Sequence, residues 1–220
     1  MIQIPKLLKQ DGMRFVLLEK SGKKPFENGW QNKNINYKNE NLIKHLNDCG
    51  NYGVMGGGKN NLIIVDFDND QIQEEVIKKL PSTFTVKTGS GLLHKYFFSD
   101  KCESFKIFDE DMNTLTDVQG EGKQVVGANS IHPNGKRYLI VDDSEIGFIP
   151  YSEIKAILMN YDKRPIKEKP KFERPRTELT DDFLDLVKEK VSVENVLDSF
   201  GINTSKNPTE CPLHNSKGGK

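Results

Sequence analysis

Leu62-Ile63-Ile64-Val65-Asp66-Phe67-Asp68 is the stretch on which the reading of the fold turns. Its first four residues form a short β-branched run of the kind that makes a buried strand. Residues two apart on a strand share a face, so Asp66 and Asp68 project side by side at its end. Two carboxylates held that close repel each other and keep high pKa values unless a cation sits between them. Hard oxygen donors on a rigid strand suit Mg²⁺ or Mn²⁺ bridging to a substrate phosphate. Strands also end in Asp for turn or capping reasons, and the pair alone leaves both readings open.

Downstream, Ile72, Val76, Ile77 and Leu80 recur on one helical face, with Asn69 or Asp70 as N-cap and Pro81 as the stop. Residues 84–87 and 95–98 read as two strands around the glycine-containing turn 88–91. Further strands are expected at 116–118, 124–126 and 137–141, with Pro133-Asn134-Gly135 as a hairpin turn joining the last two, and a helix at 152–160. Upstream, 14–18 reads as a first strand and 40–47 as a short helix. Tyr52-Gly53-Val54-Met55 is a short apolar run before Gly56-Gly57-Gly58.

A chain of 220 residues, 35% hydrophobic and 29% charged, suits one domain of ordinary size plus an appendage, with a real core and a very polar surface. Without an apolar run of 18 residues, no membrane span and no membrane partner are expected. The start, MIQIPKLLKQDGM, lacks the apolar stretch of a secretion signal. Cys49, Cys102 and Cys211 are an odd, scattered set, which fits a reducing, cytoplasmic setting better than a disulfide framework. Net charge is zero, yet residues 1–60 carry ten Lys/Arg against five Asp/Glu, and residues 61–122 carry six against twelve. A basic arm before an acidic centre suits a protein that touches phosphates around a carboxylate metal site. Chance variation in a Lys-rich surface gives the same numbers.

Residues 162–180 change character, with three prolines, seven basic and four acidic residues and almost no apolar periodicity. The expected organisation is therefore a catalytic domain over 1–160, a linker over 161–180, and a helical segment with a tail over 181–220. Thr180 and Ser192 are candidate caps for two helices in that last part, the second ended by Gly201.

Three further motifs carry chemistry. In Thr88-Gly89-Ser90-Gly91-Leu92-Leu93-His94, a turn with two glycines brings backbone N–H groups close to an anion, and Ser90 adds a hydroxyl. His94 opens the next strand, where it either donates to a triphosphate or is simply a packed histidine. Asp117 lies on a short strand before Gln119-Gly120-Glu121-Gly122. A third carboxylate from a separate strand is what a two-metal site needs, though an edge strand also carries surface aspartates. In the segment 125–138, Ser130 and His132 face one side and Lys136 follows a tight turn, which either presents donors to a phosphate or makes a stable hairpin and nothing more.

Taken in order, these elements are an apolar strand with Asp-x-Asp, then Ser-Gly-x-x-His before an aromatic strand. Asp followed by Gly-x-Gly comes next, and last Ser-x-His-Pro-x-Gly-Lys-x-Tyr. The series resembles the primase-polymerase branch of the archaeo-eukaryotic primase superfamily, found in plasmid, viral and mobile-element replication proteins. Lys24-Pro25, Gly29-Trp30-Gln31 and Asn51-Tyr52-Gly53-Val54 add to the resemblance, which spans roughly residues 10–155. It implies an α+β archaeo-eukaryotic primase fold, a mixed sheet with an RRM-like half carrying the aspartates and helices behind. It also implies a template-directed nucleotidyltransferase, a DNA primase or DNA polymerase acting in replication. Asp66, Asp68 and Asp117 would hold two Mg²⁺ or Mn²⁺ ions. Ser90, Gly91 and His94 would meet the phosphates of an incoming NTP or dNTP, with Ser130, Lys136 and Arg137 adding contacts to nucleotide or template. Single-stranded DNA template and primer are the implied partners, with a helicase region in a longer protein as a further one.

This chain departs from the family pattern in two places. Leu92-Leu93 follow Gly91 where relatives often show adjacent glycines, and Ala128-Asn129-Ser130 replace a common Pro-Pro-Ser. Cys211-Pro212-Leu213-His214 looks like the start of a primase-type zinc ribbon, but two ligands cannot close a tetrahedral site, so zinc is not expected here and a longer replication protein is. Two rival readings stay open. A metal-dependent glycosyltransferase also uses Asp-x-Asp, but leaves the Ser-Gly-x-x-His turn and Asp117 unexplained. A non-catalytic single-stranded-DNA-binding module has no need of the third aspartate.

Overall fold

The run at 62–68 becomes the third strand and lies in the middle of the larger of two sheets. In chain order the elements are β1 (Arg14–Leu18), α1 (Glu40–Asn47), β2 (Asn51–Met55), β3 (Leu62–Phe67), α2 (Asp70–Ile77), β4 (Thr85–Lys87), β5 (Leu93–Phe98), β6 (Phe105–Phe108), β7 (Thr114–Gln119), β8 (Gln124–Val126), β9 (Leu139–Asp142), β10 (Gly147–Phe148) and α3 (Tyr151–Met159), with short 3-10 turns at Lys6–Leu8 and Trp30–Asn32. The structure, a computed structural model, describes residues 1–165 together with Asp185 and Val187, which are both helical. The chain divides into two units, Met1–Ile166 and Lys167–Lys220. The remainder of the expected linker and C-terminal helices, and the Cys211/His214 pair, lie outside the described residues.

One sheet runs β1-β2-β8, and the other runs β6-β7-β3-β5-β4-β9 with β10 alongside β5. Among the described residues the strand pairs are antiparallel except β10 with β5. The result is an α+β architecture with few helices. Alternation along β3 explains why it is apolar on both faces. Leu62 and Ile64 turn toward the small sheet and join Phe15, Val54, Val86 and Tyr96 in one core. Ile63, Val65 and Phe67 turn the other way and pack with Phe97, Val118, Val76 of α2, and Ile154 and Leu158 of α3. Each such side chain, fully buried, contributes about 1.5–3 kcal/mol relative to exposure, so a one-residue slip of β3 would carry Asp66 into the helix-covered core.

Helix boundaries follow local chemistry. The Asn39 side chain accepts from Leu42 N–H at 3.1 Å and starts α1, and that of Asn69 accepts from Ile72 N–H at 3.0 Å and starts α2. Helix α2 ends at Ile77, a turn before the expected Leu80.

The hairpin expected between 124–126 and 137–141 is not formed. Strand β8 pairs with β2 in the small sheet, and β9 pairs with β4 at the edge of the large one. Pro133-Asn134-Gly135 does make a tight turn, with Gly135 N–H bonded to His132 O at 2.8 Å and His132 N–H to Lys136 O at 2.8 Å. That turn closes only the isolated bridge between Ile131 and Arg137. Asn134 Nδ2 donates to Gly89 O at 2.9 Å, which docks the turn on the 88–91 turn instead. Turn chemistry is local, whereas the choice of strand partner is made by whichever sheet edge the flanking residues reach. Three strands had no strand expectation attached: β2, read only as a short apolar run, β6 and the two-residue β10. Among the described residues no helix is long and apolar enough to cross a membrane.

Candidate active site

Four consecutive strands of the large sheet, β5, β3, β7 and the edge strand β6, place four charged or titratable residues in one transverse row. His94 on β5 is paired with Asp66 on β3, Asp66 with Asp117 on β7, and Asp117 with Lys106 on β6. Directly opposed residues share a face with Cβ atoms about 4.5–5.5 Å apart, so the row reads His–Asp–Asp–Lys. Like charges directly opposite destabilise a sheet, and the two outer residues offset this. His94 Nε2 lies 3.1 Å from Asp66 Oδ1, and Lys106 Nζ lies 2.7 Å from Asp117 Oδ2. Hydrogen bonding to Asp117, reinforced by the charges of Asp117, Asp68 and Asp66, raises the Lys106 ammonium pKa above its ordinary value.

Asp68 lies just beyond β3 on the same face as Asp66, with its N–H bonded to Leu115 O at 3.0 Å and the chain behind it fixed by the Asn69 cap. Its carboxyl pKa is raised, first by partial desolvation and then by the charges of Asp66 and Asp117. The three aspartates are therefore electrostatic neighbours. The Asp66 and His94 half of the row opens on a cleft between the sheets, lined also by Asp68, Thr88, Ser90 and Tyr138, with Lys23 and Gln124 opposite, whereas Asp117 and Lys106 do not line it.

The 88–91 turn closes with Thr88 N–H bonded to Leu92 O at 2.7 Å and Gly91 N–H to Thr88 O at 3.1 Å. Gly91 takes a φ of +107°, which only glycine adopts cheaply. Ser90 is exposed at the cleft, with its Oγ 2.7 Å from Thr88 Oγ1. His94 is buried, and its Nδ1 has no protein partner. Gly91, Lys136 and Arg137 border a second cleft with Lys87, Thr88 and Gly89, so Thr88 is common to both. Ser130 lines neither. It is fully buried and its hydroxyl has no partner. Arg137 donates to Asn129 O at 3.0 Å.

Sequence reasoning missed Lys106, Lys23 and a tyrosine layer behind Asp66. Burial, then the charges of Asp66 and Tyr138, push the Tyr96 phenol far up, and burial and Asp66 raise that of Tyr138. Both stay protonated at physiological pH. The Tyr138 ring stands between His94 and His132, at 5.9 and 5.7 Å between centroids. Only β6 could have pointed to Lys106, and its Phe105-Lys106-Ile107-Phe108 is too short and too polar in its surroundings to signal itself.

A divalent cation suits these residues by donor chemistry: hard carboxylate oxygens on paired, rigid strand positions, where desolvation and then the neighbouring negative charges raise the pKa of Asp68. Among the described residues no three His, Cys, Asp or Glu side chains form a ready-made ligand set. Asp66 and Asp117 are engaged by His94 and Lys106 instead.

No curated protein matches the chain closely enough to count as a relative. The family model described as bifunctional DNA primase/polymerase, N-terminal, matches residues 5–170, which takes in both sheets, the charged row and the 88–91 turn. On that match, the chain belongs to the bifunctional DNA primase/polymerase N-terminal family.

Proposed function

We propose that the chain is a template-directed nucleotidyltransferase that extends a 3′-hydroxyl with NTP or dNTP during DNA replication, and that its architecture is the archaeo-eukaryotic primase fold. The observation that carries the reading is the pairing of Asp66 with Asp117 across β3 and β7, with Asp68 close enough to feel both charges and lining the cleft with Asp66. Asp66, Asp68 and Asp117 hold two Mg²⁺ or Mn²⁺ ions, whose chemistry is to activate the attacking hydroxyl and neutralise the leaving pyrophosphate. The rest is alignment by the protein's own groups. The Ser90 hydroxyl and the backbone N–H groups of Gly89 and Ser90 receive the triphosphate, those of Thr88 and Gly91 being used to close the turn. His94 fixes the Asp66 carboxylate through Nε2. Lys136 and Arg137, in the neighbouring cleft, meet nucleotide or single-stranded template phosphates.

The test is primer extension with Mg²⁺ or Mn²⁺ by Asp66→Ala and Asp117→Ala. Each substitution is expected to lower turnover by about 10³-fold or more, on the scale of losing a preorganised charge at the reacting centre, while leaving a cooperative melt. Wild-type-like synthesis by either variant refutes the assignment. An unprimed single-stranded template with labelled NTPs or dNTPs then separates priming from extension and shows which sugar is preferred.

A further inference from the structure

We propose that Lys106 is the resident counter-ion of the aspartate row, a positioning residue whose ammonium holds Asp117 until a divalent cation and a polyphosphate together displace it. The inference rests on the nucleotidyltransferase reading and deepens it.

The two partners are unequally held. Asp117 sits on β7 between β3 and β6, with its side chain 11% exposed, so its carboxylate cannot leave the row. Lys106 sits on β6, at the edge of the sheet, with its side chain 46% exposed and Nζ 2.7 Å from Asp117 Oδ2. An ammonium on a flexible four-carbon stem returns to water at small cost. A lysine donates but cannot chelate, and its single charge leaves three aspartates under-compensated.

A divalent ion among the same oxygens competes with Lys106 directly. Once bound, it also repels the ammonium, which must then find another anion. A polyphosphate that extends from the 88–91 turn, at the far end of the row beyond β5, across Asp66 toward β6 is such an anion, and charge-assisted bonds to it replace the bond to Asp117. Binding of metal and of polyphosphate are thereby coupled through one side chain, and the coupling is reciprocal. The partial engagement of the aspartates by His94 and Lys106 described above is what this arrangement requires.

The experiment is calorimetric titration of the full chain with MnCl₂, alone and with a non-hydrolysable nucleoside triphosphate, for wild type, Lys106→Met, Lys106→Arg and Asp66→Asn. Lys106→Met is expected to bind Mn²⁺ about fivefold more tightly than wild type without nucleotide, the scale of removing one partly exposed ion pair. It is also expected to gain less affinity than wild type when nucleotide is added. Lys106→Arg keeps the charge and should follow wild type, which a role confined to packing would not produce. Equal Mn²⁺ affinities in wild type and Lys106→Met, with Asp66→Asn silent, overturn the proposal and leave the metal-site reading standing. No Mn²⁺ binding by wild type or Lys106→Met, even with nucleotide, overturns both.

Discussion

Replacing Asp68 with Asn should make the metal-free protein more stable while destroying its chemistry. Asp68 shares a face with Asp66 and lies near Asp117, and its carboxyl pKa is raised by desolvation and by those two charges. Two unit charges 5–6 Å apart repel by roughly 1 kcal/mol at an effective dielectric constant of about 60. Asp68 is open to solvent, so screening reduces the combined effect of two such neighbours to about 0.5–1 kcal/mol. For a domain of this size that corresponds to a rise in Tm of about 1–4 °C.

The sign follows from linkage. A group whose folded pKa lies above its unfolded value contributes stability below the unfolded pKa and loses it as pH rises through the folded pKa. The cost of Asp68 is therefore complete at pH 7 and should shrink toward pH 4. Thermal melts of wild type and Asp68→Asn at pH 4 and pH 7, with EDTA and with MnCl₂, provide the assay. At pH 7 in EDTA the variant should melt higher. In MnCl₂ the order should reverse, because wild type gains ligand-linked stability that the variant has lost. A variant that melts lower than wild type in EDTA at pH 7, or whose advantage is undiminished at pH 4, would show that the carboxylates do not crowd one another as described.

Other expectations follow from single contacts. Asn69→Ala removes the acceptor for Ile72 N–H and should cost about 1 kcal/mol, with a loss of primer extension greater than the melt accounts for, because the cap holds the chain just past Asp68. A Cβ at Gly127 would stand 2.2 Å from the Tyr52 ring, so Gly127→Ala should destabilise by about 1–3 kcal/mol, and a Tyr52→Leu background should reduce that cost in denaturant titration. Single-stranded DNA affinity should fall with salt at a log–log slope of about −3 if Lys23, Lys87, Lys136 and Arg137 each neutralise one phosphate, and Arg137→Ala should lessen the slope by about 0.7. A salt-independent affinity would remove these side chains from the interface.

The sequence made the centre of the molecule legible and its periphery less so. Strand β3 announced itself because burial on both faces demands an unbroken apolar run, and period-two alternation then put Asp66 and Asp68 on one face. Helix α1 falls over the expected 40–47, and the structure adds that Asn39 caps its start. Strand β6 was not legible, since a half-exposed edge strand of four residues carries no periodicity that survives its polar flanks. The hairpin at 133–135 was misread because Pro-Asn-Gly specifies a reversal, while the sheets that β8 and β9 join are chosen by distant residues. The sequence places His94 just after the 88–91 turn, but its approach to Asp66 is visible only in the register of β5 on β3.

Among the described residues strand β6 has a strand neighbour on one side only, and Ile107 is its completely buried residue. That aliphatic anchor, with the half-buried Phe105 packed against the same core, decides which way the strand faces. Slipping it by one position would swing Lys106 to the far side of the sheet and bring a phenylalanine or the isoleucine itself beside Asp117. If the aspartates hold metal as proposed, a substitution that merely loosens Ile107 would therefore register as altered metal binding before any loss of fold, and a variant selected for changed cation preference has reason to carry its mutation in grease rather than among the acids.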